Sequence, residues 1–93
     1  MYIYRSHAGS LDEAMKTMRE FNTFEELKAS IIDEWTVING IPAFDDSDIV
    51  VNEETINDQR IGWEDTRAVC VKRIYNEVYQ HPQCIGWMAT KYK

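Results

Sequence analysis

The clearest periodic stretch in the chain lies between Phe24 and Ile38. Phe24, Leu27, Ile31 and Trp35 recur at spacings of three and four, and Ile32 and Ile38 widen the stripe. Glu25, Lys28, Asp33 and Glu34 fill the other side, which is the pattern of an amphipathic helix. Thr23 can cap the first turn, and Glu26 is placed to reach back to the Thr23 amide. Asn39-Gly40 supplies residue types that tolerate a left-handed helix end, and Pro42 blocks continuation. The pattern predicts one helix over residues 24–38.

Elsewhere the period falls to two. Residues 2–7 alternate aromatic and smaller side chains and read as an edge or near-edge strand. Ser10 with Glu13 reads as a capping box for a turn or two of helix at Leu11 to Ala14. The segment 15–21 fits either period, and a strand is expected there because the capped helix follows at once. Ile49-Val50-Val51 predicts a short strand between carboxylates, and residues 53–59 a polar loop. The stretch 66–74 (TRAVCVKRI) is the strongest strand pattern. Val69 and Val71 point one way and Ala68 and Cys70 the other, as expected of a central strand covered on both faces. A loop or short helical turn is expected over 75–83, ended by Pro82, and a last strand over 84–92 with Ile85, Trp87 and Ala89 on one face.

This order predicts a single α+β domain over residues 1–93. It would have two layers, a mostly antiparallel sheet of about four or five strands with one amphipathic helix on one face. One helix covers only part of such a sheet. Tyr2, Tyr4, Trp63, Trp87 and Tyr92 are expected on the other face, where the sheet curls around them or a second copy covers them in a homodimer.

Charge changes the picture more than composition does. The 93 residues carry 16 acids and 10 bases, a formal −6. Eight of the acids (Asp45, Asp46, Asp48, Glu53, Glu54, Asp58, Glu64, Asp65) fall between residues 45 and 65 against Arg60 alone, leaving that segment at −7. From residue 66 onward Arg67, Lys72, Arg73, Lys91 and Lys93 face only Glu77, giving +4. A protein that neutralises phosphates would be more basic than this, so direct nucleic-acid binding is not expected. No apolar run approaches the roughly 20 residues that cross a bilayer, and the first residues lack the apolar core of a signal peptide. A reduced, cytosolic protein without membrane contact is the expectation.

Candidate chemistry is sparse. His7, His81, Cys70 and Cys84 are the soft metal ligands, without CxxC or HxxxH spacing, so the expected roles are surface histidines and structural thiols. A disulfide between the two cysteines is within geometric reach on neighbouring strands, but a reducing cytosol opposes it. Asp45-Asp46-Ser47-Asp48 has neither the glycine nor the distal glutamate of a calcium loop. Glu64 and Asp65 have no accompanying nucleophile or oxyanion donor. No enzyme, metal or cofactor is expected. At the Arg60-Ile61-Gly62-Trp63 corner the glycine suits a bulge or tight turn, with Trp63 packed under the sheet and Arg60 paired with Asp58 or stacked on the indole. Arg60 and Trp63 are equally the residue types that anchor protein interfaces.

Three blocks carry a resemblance. They are Tyr4-Arg5-Ser6-His7-Ala8-Gly9-Ser10-Leu11 running on to Met15-Lys16-Thr17, then Asp58-Gln59-Arg60-Ile61-Gly62-Trp63, then Pro82-Gln83-Cys84-Ile85-Gly86. In their order and spacing the chain resembles a family of small proteins encoded by phages and prophages of Gram-positive gut bacteria. Such proteins more often carry Arg before the glycine of the first block, where this chain has Ala8. The resemblance implies a mobile-element origin and action in the cytoplasm of a bacterial host; it implies no reaction.

Three functional expectations follow. The leading one is an anti-CRISPR-like inhibitor of a host defence system, binding a nucleic-acid-handling effector stoichiometrically. Its contact face would be Asp45, Asp46, Asp48, Glu53, Glu54, Asp58, Arg60, Trp63, Glu64 and Asp65, with carboxylates imitating a phosphate row. The plainer reading of those acids is solubility. The second is a module that sequesters an anionic nucleotide at a dimer interface through Arg5, Arg60, Arg67 and Arg73, with Trp63 or a tyrosine stacked on the base. The third is a subunit of a phage replication or packaging complex.

Overall fold

The computed structural model describes residues 1–7, 10–58 and 63–90. Strand β1 (Tyr2–Ser6) leads through a short helix α1 (Leu11–Met15) to β2 (Arg19–Phe21) and the main helix α2 (Phe24–Asn39). A 3-10 turn at Asp46–Asp48 precedes β3 (Ile49–Val51), β4 (Ile56–Asp58), β5 (Trp63–Ile74) and β6 (Glu77–Thr90). The strands run in the order β2-β1-β6-β5-β3, every pairing antiparallel, and β4 joins β5 next to β3. This is the α+β architecture that the pattern predicts, with six strands in the sheet.

Local chemistry sets the helix ends. The Thr23 hydroxyl accepts the Glu26 amide at 3.2 Å, Gly40 takes φ +81°, and its amide returns to the Thr36 carbonyl at 2.7 Å. Leu27 and Ile31 are fully buried against Val69 and Val71 of β5, Ile85 and Met88 of β6, and Ala43 and Phe44 of the connection after α2. Trp35 meets Phe44 edge-on at 5.4 Å, the arrangement that aromatic quadrupoles favour.

Tyr4 sits at the centre of this layer. Its ring lies across Gly86, where an added Cβ would overlap both ring and hydroxyl. Its hydroxyl donates to the Ile85 carbonyl at 3.2 Å, an oxygen that also accepts the His7 amide at 2.9 Å. The Arg19 guanidinium of β2 stands 5.1 Å from the ring centroid and pairs with Glu34 of α2 at 2.6 Å. Burial, and next the Glu34 charge, push the phenol well above its ordinary range.

The opposite face is built differently. Arg5 and Trp87 are register partners on β1 and β6, and Trp63 begins β5 nearby. The Arg5 guanidinium lies 5.7 Å from the Trp63 ring centroid and 5.9 Å from that of Trp87, and Arg5 and Trp63 are both buried. The expectation that Tyr2 and Tyr4 belong to this face is corrected: Tyr2 packs against Phe24 with the rings tilted at 46°, and Tyr4 lies beneath the helix. Tyr92 lies outside the described residues, as do Ala8 and Gln59-Arg60-Ile61-Gly62, the corner before Trp63.

Four further expectations are revised. The polar loop at 53–59 contains β4, whose pairing with β5 outweighs the polar composition of Ile56-Asn57-Asp58. Residues 75–83 are mostly strand. Tyr75 takes φ +54° in a two-residue turn that pairs Ile74 with Glu77, and Pro82 sits where the ladder is irregular, so its missing N–H breaks no regular bond. Helix α1 reaches Met15 and the strand in 15–21 is limited to Arg19–Phe21. Ile38, expected in the apolar stripe, is 75% exposed and does not join the core.

Replacing Gly86 by alanine should therefore lower unfolding free energy by about 1–3 kcal/mol through overpacking against Tyr4. Gly40→Ala, which meets open space but must hold a left-handed conformation, should cost about 1–2 kcal/mol. Urea denaturation of the two variants measures both.

Candidate binding surface

The acids of residues 45–65 divide into two groups with different surroundings. At the first, Asp45 caps the 3-10 turn: its carboxylate accepts from the Ser47 amide at 3.1 Å and from the Ser47 hydroxyl. Asp48 reaches back to the Asp45 amide at 3.1 Å, completing a capping box. Arg73 of β5 lies 3.2 Å from Asp48 and 3.8 Å from Asp45, and Lys28 of α2 lies 3.6 Å from Asp46. Asp48 is itself buried. The Ser47 hydroxyl, its amide and the Arg73 charge together hold the Asp45 carboxyl below the usual aspartate range. These three acids tie the connection after α2 to β5 and to the helix, and their charge is largely answered inside the protein.

The second group is open. Glu53 and Glu54 lie in the turn between β3 and β4, and Glu64 and Asp65 on the first residues of β5; all four are exposed. No described base forms an ion pair with any of them. The pairing Ile56 with Thr66 and Asp58 with Trp63 leaves one extra residue on β5, so Glu64 and Asp65 occupy a bulge, with Asp65 at φ +50°. The Asn57 carboxamide oxygen accepts the Asp65 amide at 3.5 Å, and Asn52 accepts the Glu54 amide at 3.3 Å. The Asn52 amide donates to the Ala68 carbonyl, so the chain from Asn52 to Asp58 runs beside β5 between Ala68 and Trp63, roughly 17 Å of strand.

The other predicted site residues fall apart from this edge. Trp63 is buried beside Arg5 and so is not presented to a partner; Arg60, expected on the indole or paired with Asp58, lies outside the described residues. Asp58 pairs through its backbone with Trp63. Among the described residues, Arg5, Arg67 and Arg73 of the nucleotide reading do not gather at one place within a protomer. Arg5 lies between two indoles, Arg73 is engaged with Asp45 and Asp48, and Arg67 is six residues from Arg73, roughly 20 Å along β5. Among the described residues no three potential ligands gather into a metal site, and no helix is long and apolar enough to cross a membrane.

A second surface feature has weaker footing in the sequence. Val37, Ile38 and Ile41 are 83%, 75% and 58% exposed around the C-terminal end of α2. A shallow depression of about 380 Å³ lies alongside, lined by Arg19, Ser30, Asp33, Glu34, Val37 and Ile38. Apolar residues on both sides of the Asn39-Gly40 cap are the signal that points to it.

No protein-family model, curated protein or solved structure matches the chain.

Two stability experiments separate the acid groups. Arg73→Ala leaves Asp48 buried without its cation and should cost about 1–3 kcal/mol by urea denaturation, whereas Glu53→Gln or Glu54→Gln should change stability little. Because its folded value is depressed, the Asp45 carboxylate contributes stability that is fully present above the ordinary aspartate value and lost as pH falls through the lower folded one. The stability difference between wild type and Asp45→Asn should therefore shrink on acidification below the ordinary aspartate range.

Proposed function

We propose that the protein is a non-catalytic inhibitor that binds a basic, nucleic-acid-handling effector of a bacterial host's defence system. It acts in the host cytoplasm, stoichiometrically and without a cofactor. The contact is made by Glu53, Glu54, Glu64 and Asp65. The observation that carries this reading is that these four carboxylates are exposed, unanswered by any described base, and placed in the β3–β4 turn and on the bulge at the start of β5. Duplex DNA presents one charge per roughly 1.7 Å of axis, and exposed carboxylates can occupy several of the phosphate subsites of a protein that binds it. A groove lined with lysine and arginine for a nucleic-acid backbone would meet unpaired carboxylates here, two of them on a backbone set by the β4–β5 bulge. The resemblance to phage-encoded proteins supports the setting.

The reading narrows the surface first expected from the sequence. Asp45, Asp46 and Asp48 already have partners, so a basic groove would have to displace Arg73 or Lys28 to use them. The exposed four meet no such competition from a described base.

The test is charge reversal. With Glu53, Glu54, Glu64 and Asp65 all changed to lysine, protection of a phage or plasmid from host interference should be lost, together with co-purification of the effector. Reversing Glu25 and Asp33 on the outer side of α2 should leave both intact. Binding by the wild type should weaken steeply as salt rises. Undiminished protection by the fourfold variant at low and high salt would remove the acid edge from the mechanism.

A further inference from the structure

The function proposed above leaves the two cysteines without a role. Cys70 and Cys84 are direct partners across the β5–β6 ladder, and both are half-buried. Val69 and Val71, the neighbours of Cys70, are buried in the layer beneath α2, so Cys70 faces the side of the sheet that the helix does not cover. The Cys84 thiol donates to the Gly86 carbonyl at 3.5 Å. Antiparallel partners hold their Cα atoms about 4.5–5.5 Å apart, within the roughly 4.4–6.8 Å that a disulfide bridges. The pair therefore needs no large backbone movement to join.

We propose that Cys70 and Cys84 form a reversible modification site, a dithiol that closes to an intramolecular disulfide when it meets a low-molecular-weight disulfide oxidant such as oxidised glutathione. The thiolate of one cysteine attacks a sulfur of the oxidant, forming a mixed disulfide and expelling one glutathione thiolate. The thiolate of the other attacks the protein sulfur of that mixed disulfide, forming the Cys70–Cys84 bond and expelling the second glutathione. The two protein thiols lose two electrons and two protons; the oxidant becomes two reduced glutathione molecules. Burial, and next the Cys84 sulfur beside it, raise the Cys70 thiol above its ordinary value, so the reaction is faster at mildly alkaline pH.

The location gives the bond a consequence. The ladder shifts register between Val69 and Cys70 and again between Val71 and Arg73, so the pair stands between two irregular stretches. Beyond it the β6 strand carries Pro82 and continues to the Tyr75 turn. A bond here ties the outer half of the hairpin to the part of β6 that packs under Tyr4. It acts as a stabilising clasp that the reducing cytosol leaves open and oxidative conditions close. Partner binding through the acid edge does not depend on it, so the two proposals fail separately.

Folded wild-type protein is incubated with oxidised glutathione at pH 8 and then analysed by intact mass, free-thiol count and thermal denaturation. The expected product is a monomer lighter by two hydrogen atoms, with both thiols consumed, Tm raised by roughly 10 °C and full reversal by dithiothreitol. Cys70→Ser and Cys84→Ser should each stop at the glutathione mixed disulfide. Wild type that also stops at that adduct, that forms only intermolecular disulfides, or whose thiols react only after unfolding would overturn the proposal.

Discussion

The close packing of Tyr4 across Gly86 is the contact on which the rest of the structure depends. It lets β1 lie flat against β6 while a large ring fills the space beneath α2. The hydroxyl then shares the Ile85 carbonyl with the His7 amide, anchoring the end of β1 at a place where β6 is irregular. Above the ring, Arg19 links β2 to Glu34 of α2. Four elements thus meet around one side chain. Tyr4 has a buried polar end with a partner and an aromatic face with a cation, which satisfies each part of an amphipathic residue in the core.

The irregularities of the long hairpin complement that contact. β5 and β6 are 12 and 14 residues long, longer than a flat pairing readily sustains, and register shifts interrupt them. Each interruption places something. The shift opposite Ile85 lets both Ile85 and Met88 join the core. The irregularity beyond Gln83 accommodates Pro82. The bulge between β4 and β5 turns Glu64 and Asp65 outward beside Asn57. Bulges bend a strand and re-aim its side chains, and here the acid edge is a product of that bending.

Much of this was legible in the chain. The helix limits follow from Thr23 and Gly40, whose capping chemistry is local and so survives any tertiary context. The three-residue strand Ile49–Val51 was readable because its apolar run is bounded by charges. What escaped depends on partners distant in sequence. Ile56-Asn57-Asp58 is polar enough to read as loop and becomes a strand only because β5 passes beside it. Residues 77–83 contain a proline and the polar side chains of Glu77, Gln80, His81 and Gln83, yet pair with β5 because the Tyr75 turn delivers them there. The same limit applies to the site. Eight acids in one stretch read as one face, but which of them carry free charge depends on Arg73 and Lys28, which no spacing rule connects to Asp48 or Asp46.

The face opposite α2 illustrates how a single-helix α+β domain can cover its remaining aromatics without a second layer. Arg5, at a central position on β1, places a weakly hydrated planar cation between Trp63 and Trp87. A leucine at that position would fill the space but would offer the indole faces no charge, and a lysine would present a compact, strongly hydrated ammonium at higher desolvation cost. Arginine instead lets its guanidinium stack while its aliphatic stem covers the sheet. The aromatic pair that composition alone leaves without cover is thus partly covered by the protein's own cation, and Trp63, at the start of β5, is held directly before the bulge that carries Glu64 and Asp65. The buried indole of Trp63 and the exposed acids of the bulge are neighbours on one irregular stretch of β5.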